Sequence, residues 1–254
     1  MPDTYIVIFA GILGLMFGSF ANVIIWRVPQ KISIVRPRSY CPGCKRRLRF
    51  FELIPVVSYV FLCGKCRTCK SRISPQEPLV ELLCGGLFAA MAVHSPTLSL
   101  VPLAILAFAL VAIAFIDAAT MEIPNGLVIT VAVAGIFYVS LGNISPADAL
   151  LGALAGAVPL FLTNRLTLLV LKKDGFGFGD VKLMAAAGLF IGWRLMLPAF
   201  FFALVTGAAV AVFLLATGRA KRGGYMAFAP FLCLGVIFSL WFGEKFLAWY
   251  FALL

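Results

Sequence analysis

The sequence predicts an all-α polytopic membrane protein, with about eight transmembrane helices and a small cytoplasmic zinc-binding domain between the first and second. Three observations carry that reading. Of 254 residues, 63% are hydrophobic and 12% charged, and the mean hydropathy is +1.06, far outside the range of a water-soluble domain. The apolar residues fall in runs that can cross a bilayer, which takes about 20 helical residues. Four of the seven cysteines form two C-x-x-C pairs inside the only sizeable polar stretch.

Eight spans follow from the apolar runs: 5–26, 78–95, 98–117, 126–142, 147–171, 181–196, 198–217 and 227–253. The first lacks a basic start and continues for a full span, so it reads as a retained helix and not a cleavable signal. Basic residues set the orientation. Of 21 Lys and Arg, twelve fall between Arg27 and Arg72, three are Lys172, Lys173 and Lys182, and three are Arg219, Lys221 and Arg222. Eight spans put all of these on one side, so the N-terminus is expected outside and the basic loops in the cytoplasm. The net charge of +11 is concentrated beside membrane segments, where anionic lipid headgroups account for it; nucleic acid is not expected as a partner.

The chain divides by composition into a first helix (1–27), a polar loop (28–77) and a seven-helix membrane region (78–254). Gly11, Gly14, Gly18 and Ser19 line the first helix with small residues that favour close packing, and Asn22 follows on the same helix. Cys41-Pro42-Gly43-Cys44 and Cys66-Arg67-Thr68-Cys69 have the spacing of a four-thiolate zinc site. A loop this short cannot bury a core of its own, so a metal would supply the missing folding free energy. Cytoplasmic placement argues against two disulfides. Cys63 offers a rival C-x-x-C with Cys66, but it continues the apolar stretch Ile54 to Leu62, which leaves Cys66 and Cys69 as the preferred pair.

Glu81 lies just inside the second span, where a carboxylate is expensive without a partner or a task. His94 reads as a surface residue near the outer end of that span, and Arg165 inside the fifth must snorkel or find a partner. Asp117 ends the third span ahead of Glu122-Ile123-Pro124, and Gly177-Phe178-Gly179-Asp180 opens the sixth, with Lys182 two residues further on. Two carboxyls held close cannot both ionise cheaply. They share a proton, and one can activate water while the other donates to a carbonyl. Gly177 and Gly179 let another chain approach beside Asp180. Acidic residues also end helices at a water interface for no catalytic reason, and that reading stands beside the first.

In combination these residues resemble the type IV prepilin peptidases, bifunctional membrane aspartic proteases that also N-methylate the new terminus. The resemblance rests on Gly18-Ser19-Phe20-Ala21-Asn22-Val23, the two cysteine pairs, Ile54-Pro55-Val56-Val57-Ser58-Tyr59 and Pro78-Leu79-Val80-Glu81-Leu82. It continues through Asp117 with Ile123-Pro124 and through Gly177-Phe178-Gly179-Asp180-Val181-Lys182-Leu183. It implies catalytic aspartates at 117 and 180, an active-site loop of Gly177, Phe178, Gly179 and Lys182, and zinc on Cys41, Cys44, Cys66 and Cys69. Glu81 and Asn22 become candidates for methyl transfer or substrate binding. S-adenosylmethionine is implied as the methyl donor, and a prepilin or pseudopilin with a basic leader as the substrate, cut after glycine at the cytoplasmic membrane face. Gln76-Glu77-Pro78 replaces the family's usual Arg-Tyr-Pro, and Ala227-Phe228-Ala229-Pro230 its Pro-Phe-Gly-Pro. The first departure leaves a peptidase without methyl transfer as the nearest alternative. An ion-coupled transporter is the alternative of another class, and it predicts carboxylates near the bilayer midplane. A zinc-stabilised scaffold without chemistry is a third, and it predicts that Asp117 is replaceable by Asn.

Overall fold

In the computed structural model, residues 4–36, 38–95, 98–172, 177–219 and 226–253 are described. Among them every regular element is helical: α1 (Thr4–Arg27), a 3-10 turn (Phe50–Leu53), α2 (Val57–Phe61), α3 (Gln76–His94), α4 (Leu100–Thr120), α5 (Asn125–Ser140), α6 (Pro146–Leu171), α7 (Phe178–Ala216) and α8 (Ala229–Phe251). The chain forms two compact units, Met1–Ala112 and Ile113–Leu254, that divide within α4.

Six helices are long and apolar enough to cross a membrane, and α5 is a shorter apolar helix of 16 residues. Six helices, not eight, meet that length; eight apolar segments are reached only by including α5 and dividing α7, 39 residues long, at its break at Gly192. There φ is 67° and ψ 176°, a conformation that only glycine adopts without strain. The expected break lay between residues 196 and 198, near Arg194; the true one is at Gly192, and α7 continues through Pro198.

In the first unit, α1 and α3 touch through small residues. A methyl group on Gly14 would lie 2.5 Å from the Cys84 carbonyl oxygen, and one on Gly18 2.5 Å from the Glu81 Cα. Without hydrophobic drive between helices in lipid, such close backbone approach is what supplies contact. Phe17 and Phe20 meet Phe108 of α4 at centroid separations of 5.9 and 6.1 Å.

The polar loop folds as two matched knuckles. Lys45 N–H donates to the Cys41 carbonyl and Cys41 N–H to the Arg46 carbonyl; Lys70 donates to Cys66 and Cys66 to Ser71 in the same pattern. Each C-x-x-C is followed by a left-handed lysine, Lys45 at φ 55° and Lys70 at φ 60°, which turns the chain back. Cys63 is exposed and lies outside the sulfur cluster.

In the second unit the packing again runs through glycine. Gly188 of α7 rests on the backbone of Gly152 and Ala153 of α6, and Gly156 on the carbonyl of Met184. Phe202 and Phe238 stack at 4.2 Å between α7 and α8. Arg165 places its guanidinium 5.1 Å from the centre of the Phe161 ring, a cation–π contact on its own helix.

Candidate active site

Helix α4 stops just beyond Asp117 because Met121 turns left-handed, at φ 56°, after donating to the Asp117 carbonyl. The Asp117 side chain is then free to reach α8. Its Oδ2 accepts the backbone N–H of Ala229 at 3.0 Å, at the first position of a helix whose next residue, Pro230, has no N–H to give. A carboxylate there also sits in the positive end of the α8 dipole.

Asp180 is held by its own helix. As the third residue of α7 it accepts the N–H of Gly177, the N-cap, on Oδ2 at 3.1 Å. Its other oxygen, Oδ1, is buried with no hydrogen-bond partner. Such an orphan costs about 1–3 kcal/mol and marks a place where a proton, a water or a substrate atom is wanted.

Asp117 is 5% exposed and Asp180 7%, so neither is a helix end facing water. Asp117 lies near enough for its charge to act on Asp180, and both fields reach the buried Cys233 of α8. Neither carboxylate forms an ion pair among the described residues, where the one such pair is Arg46–Glu52. Two buried, interacting carboxyls without a cation favour holding one proton between them.

The remaining residues of the loop take distinct parts. Gly179 packs against Ile123, whose Cβ would lie 2.9 Å from an added methyl, so the Ile-Pro turn after α4 and the glycine before Asp180 fit face to face. Gly179→Val is therefore expected to push α7 from Ile123 and lower any activity carried by the two carboxyls by at least about tenfold, with kcat falling more than KM rises. Lys182 does not reach the aspartates. Its Nζ donates to Asn125 Oδ1 at 3.0 Å and stands 4.8 Å from the centre of the Phe178 ring, while Phe178 itself is exposed. Arg165, a partner to the aspartates in a transporter, is engaged with Phe161 instead.

In the first unit, the sulfurs of Cys41, Cys44, Cys66 and Cys69 lie within 4.8 Å of one another. Tetrahedral thiolate zinc, with bonds of about 2.3 Å, requires sulfurs about 3.8 Å apart, and Cys41 and Cys69 stand at 3.7 Å. The Ser71 hydroxyl contacts both of these sulfurs, at 3.5 and 3.1 Å, and holds the Cys41 thiol down to about 6, so a thiolate is ready for a metal.

Arg46 grips Glu52 with both guanidinium arms, at 2.6 and 3.1 Å, and keeps its carboxyl below the ordinary range. A depressed carboxyl contributes stability above its unfolded value of about 4.3 that is lost as pH falls through the folded one. Glu52→Gln is expected to lower the loop's thermal midpoint at neutral pH, with the gap from wild type closing below about pH 4.

Glu81 accepts the Val56 N–H on Oε2 at 2.7 Å and is also hydrogen-bonded by Ser19. Val56 is strained, with φ 60° and ψ −49°, in a three-residue turn closed by Val57 N–H to the Pro55 carbonyl. A β-branched residue there costs about 1–3 kcal/mol, and the bond to Glu81 helps to hold it. Asn22 donates from Nδ2 to the Glu77 carbonyl at 2.9 Å, tying α1 to the first turn of α3.

Sequence reasoning missed Ala229 and Ser71. The first acts through its backbone, and the signal for it was Pro230, which marks a helix start with free N–H groups. The hydroxyl of Ser71 carries no motif.

Two family models match the chain: the bacterial peptidase A24 N-terminal domain over residues 12–95, and the type IV leader peptidase family over residues 104–212. The chain is similar to proteins named prepilin leader peptidase/N-methyltransferase. That of Myxococcus xanthus is 42% identical across 84% of this chain and 64% of the relative. That of Bacillus subtilis is 35% identical across 94% and 95%, and that of Burkholderia pseudomallei 33% across 97% and 88%. The chain thus spans just under two thirds of the Myxococcus relative and nearly all of the Bacillus one. No solved structure matches the chain.

Proposed function

The chain belongs to the type IV leader peptidase family, and from that premise we propose that it is a membrane aspartic endopeptidase that removes the basic leader of type IV prepilins or pseudopilins after glycine and then N-methylates the new terminus. The observation that carries the peptidase reading is the pair of buried carboxyls, with an unpartnered oxygen on Asp180 and, among the described residues, no ion pair to either.

In the mechanism, Asp117 and Asp180 share one proton. The ionised carboxyl takes a proton from water as the water oxygen bonds to the scissile carbonyl carbon, and the protonated carboxyl gives its proton to the carbonyl oxygen. The tetrahedral diol collapses, the C–N bond breaks, and the leaving amine departs with a proton returned by the pair. No covalent intermediate forms. The Ala229 and Gly177 N–H groups keep one oxygen of each carboxyl in place, leaving the others for water and substrate. Gly177, Phe178 and Gly179 form the edge over which the substrate strand passes.

Zinc on Cys41, Cys44, Cys66 and Cys69 would fix the two knuckles, and the sulfur spacing fits it. Methyl transfer draws on S-adenosylmethionine, which supplies a methyl group carried on a positively charged sulfur. The basic flanks of the spans support a multi-pass protein of the bacterial inner membrane, with the N-terminus outside and the cysteine loop and both aspartates toward the cytoplasm. Partners are the substrate and membrane lipid.

The deciding experiment gives purified protein in detergent a prepilin with a leader ending in Gly-Phe and follows the product by mass spectrometry. Loss of the leader, followed by gain of one methyl group, is expected. Intact prepilin would refute the peptidase reading, and an unmethylated product would leave the peptidase alone.

A further inference from the structure

Within the first unit, residues 50–61 present two faces. Ser58 and Tyr59, with Leu62 just beyond, are half-buried and line the space between α1, α3 and the cysteine loop. Val57, Val60 and Phe61, spaced as one side of a helix, turn outward, as does Phe50 of the preceding 3-10 turn. Phe50 is 85% exposed, Phe61 82% and Val60 65%, a concentration of bare apolar surface that marks an interaction site in an otherwise polar loop.

The same stretch lies at bilayer level. Helix α3 has 19 residues and is about 28 Å long, one crossing of the hydrocarbon layer. Glu81, five residues beyond Gln76, is no more than about 8 Å inside its start. The Glu81 carboxylate accepts the N–H of Val56 at 2.7 Å, and Val56 is the residue on which α2 begins. The outward face of α2 therefore stands within the depth of about 5–10 Å that the apolar faces of interfacial helices reach. Over the same turns α3 itself exposes Leu79, Leu82 and Leu83.

Charge completes the match. Residues 45–49 hold four Lys and Arg and residues 65–72 four more, so basic side chains flank the apolar face at both ends. Arg67 lays its guanidinium 5.4 Å from the centre of the Phe51 ring, joining the two. The single acid between them, Glu52, is held by Arg46.

We propose that residues 50–61 form an interfacial anchor: Phe50, Val57, Val60 and Phe61 sit among the acyl chains of the adjacent leaflet, and the flanking Lys and Arg rest on anionic lipid headgroups. A basic leader would be repelled by that rim, and a second copy of the chain would meet its own positive charge. An anionic bilayer satisfies both the apolar face and the rim. Burying the outward face also helps to hold Val56 at its positive φ, so the strained turn and the membrane contact support one another. The anchor depends on α1 and α3 crossing the bilayer and is independent of the peptidase reading.

The test places a nitroxide at residue 60, through Val60→Cys in a Cys63→Ser background, on the zinc-loaded full chain at one copy per nanodisc. Collision with oxygen, which concentrates in lipid, and with a water-soluble nickel chelate reports its depth. In discs containing phosphatidylglycerol the label is expected about 5–10 Å below the headgroups. In discs of phosphatidylcholine alone it is expected to lie shallower, because the basic rim loses its partner. Phe61→Cys, labelled in the same way, gives a second position should the first disturb α2, and unchanged zinc content shows that the loop is folded. Labels at both positions that the chelate reaches freely in both lipids would overturn the anchor. A label shielded from oxygen and chelate alike would put protein over the face and overturn it as well, as would lipid depth seen only after prepilin is added or only in discs holding two copies. Equal depth in both lipids would strike out the headgroup contact.

Discussion

Asp117→Asn and Asp180→Asn are each expected to lower leader cleavage by about four orders of magnitude, the loss typical of removing one member of a catalytic unit. An amide can still accept the N–H of Ala229 or of Gly177, so the hydrogen bonds that seat each side chain survive the change. What disappears is the shared proton. The fold should hold, and Asp180→Asn should raise the thermal midpoint, because it removes a buried ionisable group whose Oδ1 is unpartnered. Loss of activity with equal or greater stability separates a catalytic role from a structural one. Cleavage by either variant at the wild-type rate would reduce that aspartate to a helix cap and end the two-carboxyl mechanism.

Metal removal is expected to act as strongly, on another part of the molecule. Structural thiolate zinc contributes about 10–16 kcal/mol in small domains, more than a loop with so little apolar content gains from packing. Chelation should leave residues 28–75 open to limited proteolysis, while the Ile113–Leu254 unit, which has its own core, keeps its helical signal. Persistent protection of the loop after zinc is shown to be gone would contradict this.

The spans were legible in the sequence because lipid leaves the backbone no choice but to satisfy itself in helices, so hydropathy alone located them. The break in α7 was misplaced by a few residues. The break was expected between residues 196 and 198, but the backbone turns where glycine permits, at Gly192. Asp117 and Asp180 stood out because a carboxylate in an apolar run needs a reason. The four clustered cysteines stood out because their spacing is repeated, and the structure repeats it in hydrogen bonds. What holds the aspartates was not legible. Ala229 contributes a backbone N–H, which every residue but proline has.

The link between Asp117 and α8 bears on how freely this part of the chain can drift. The donor is main-chain, so mutation cannot delete it except by proline, and side chains at that position are filtered by size alone. Ala229 is fully enclosed, with 0% exposure, which admits a methyl group in place of hydrogen and little more. Alanine at 229, where the family wording has glycine, is thus a change of spelling at a place where only the backbone is read.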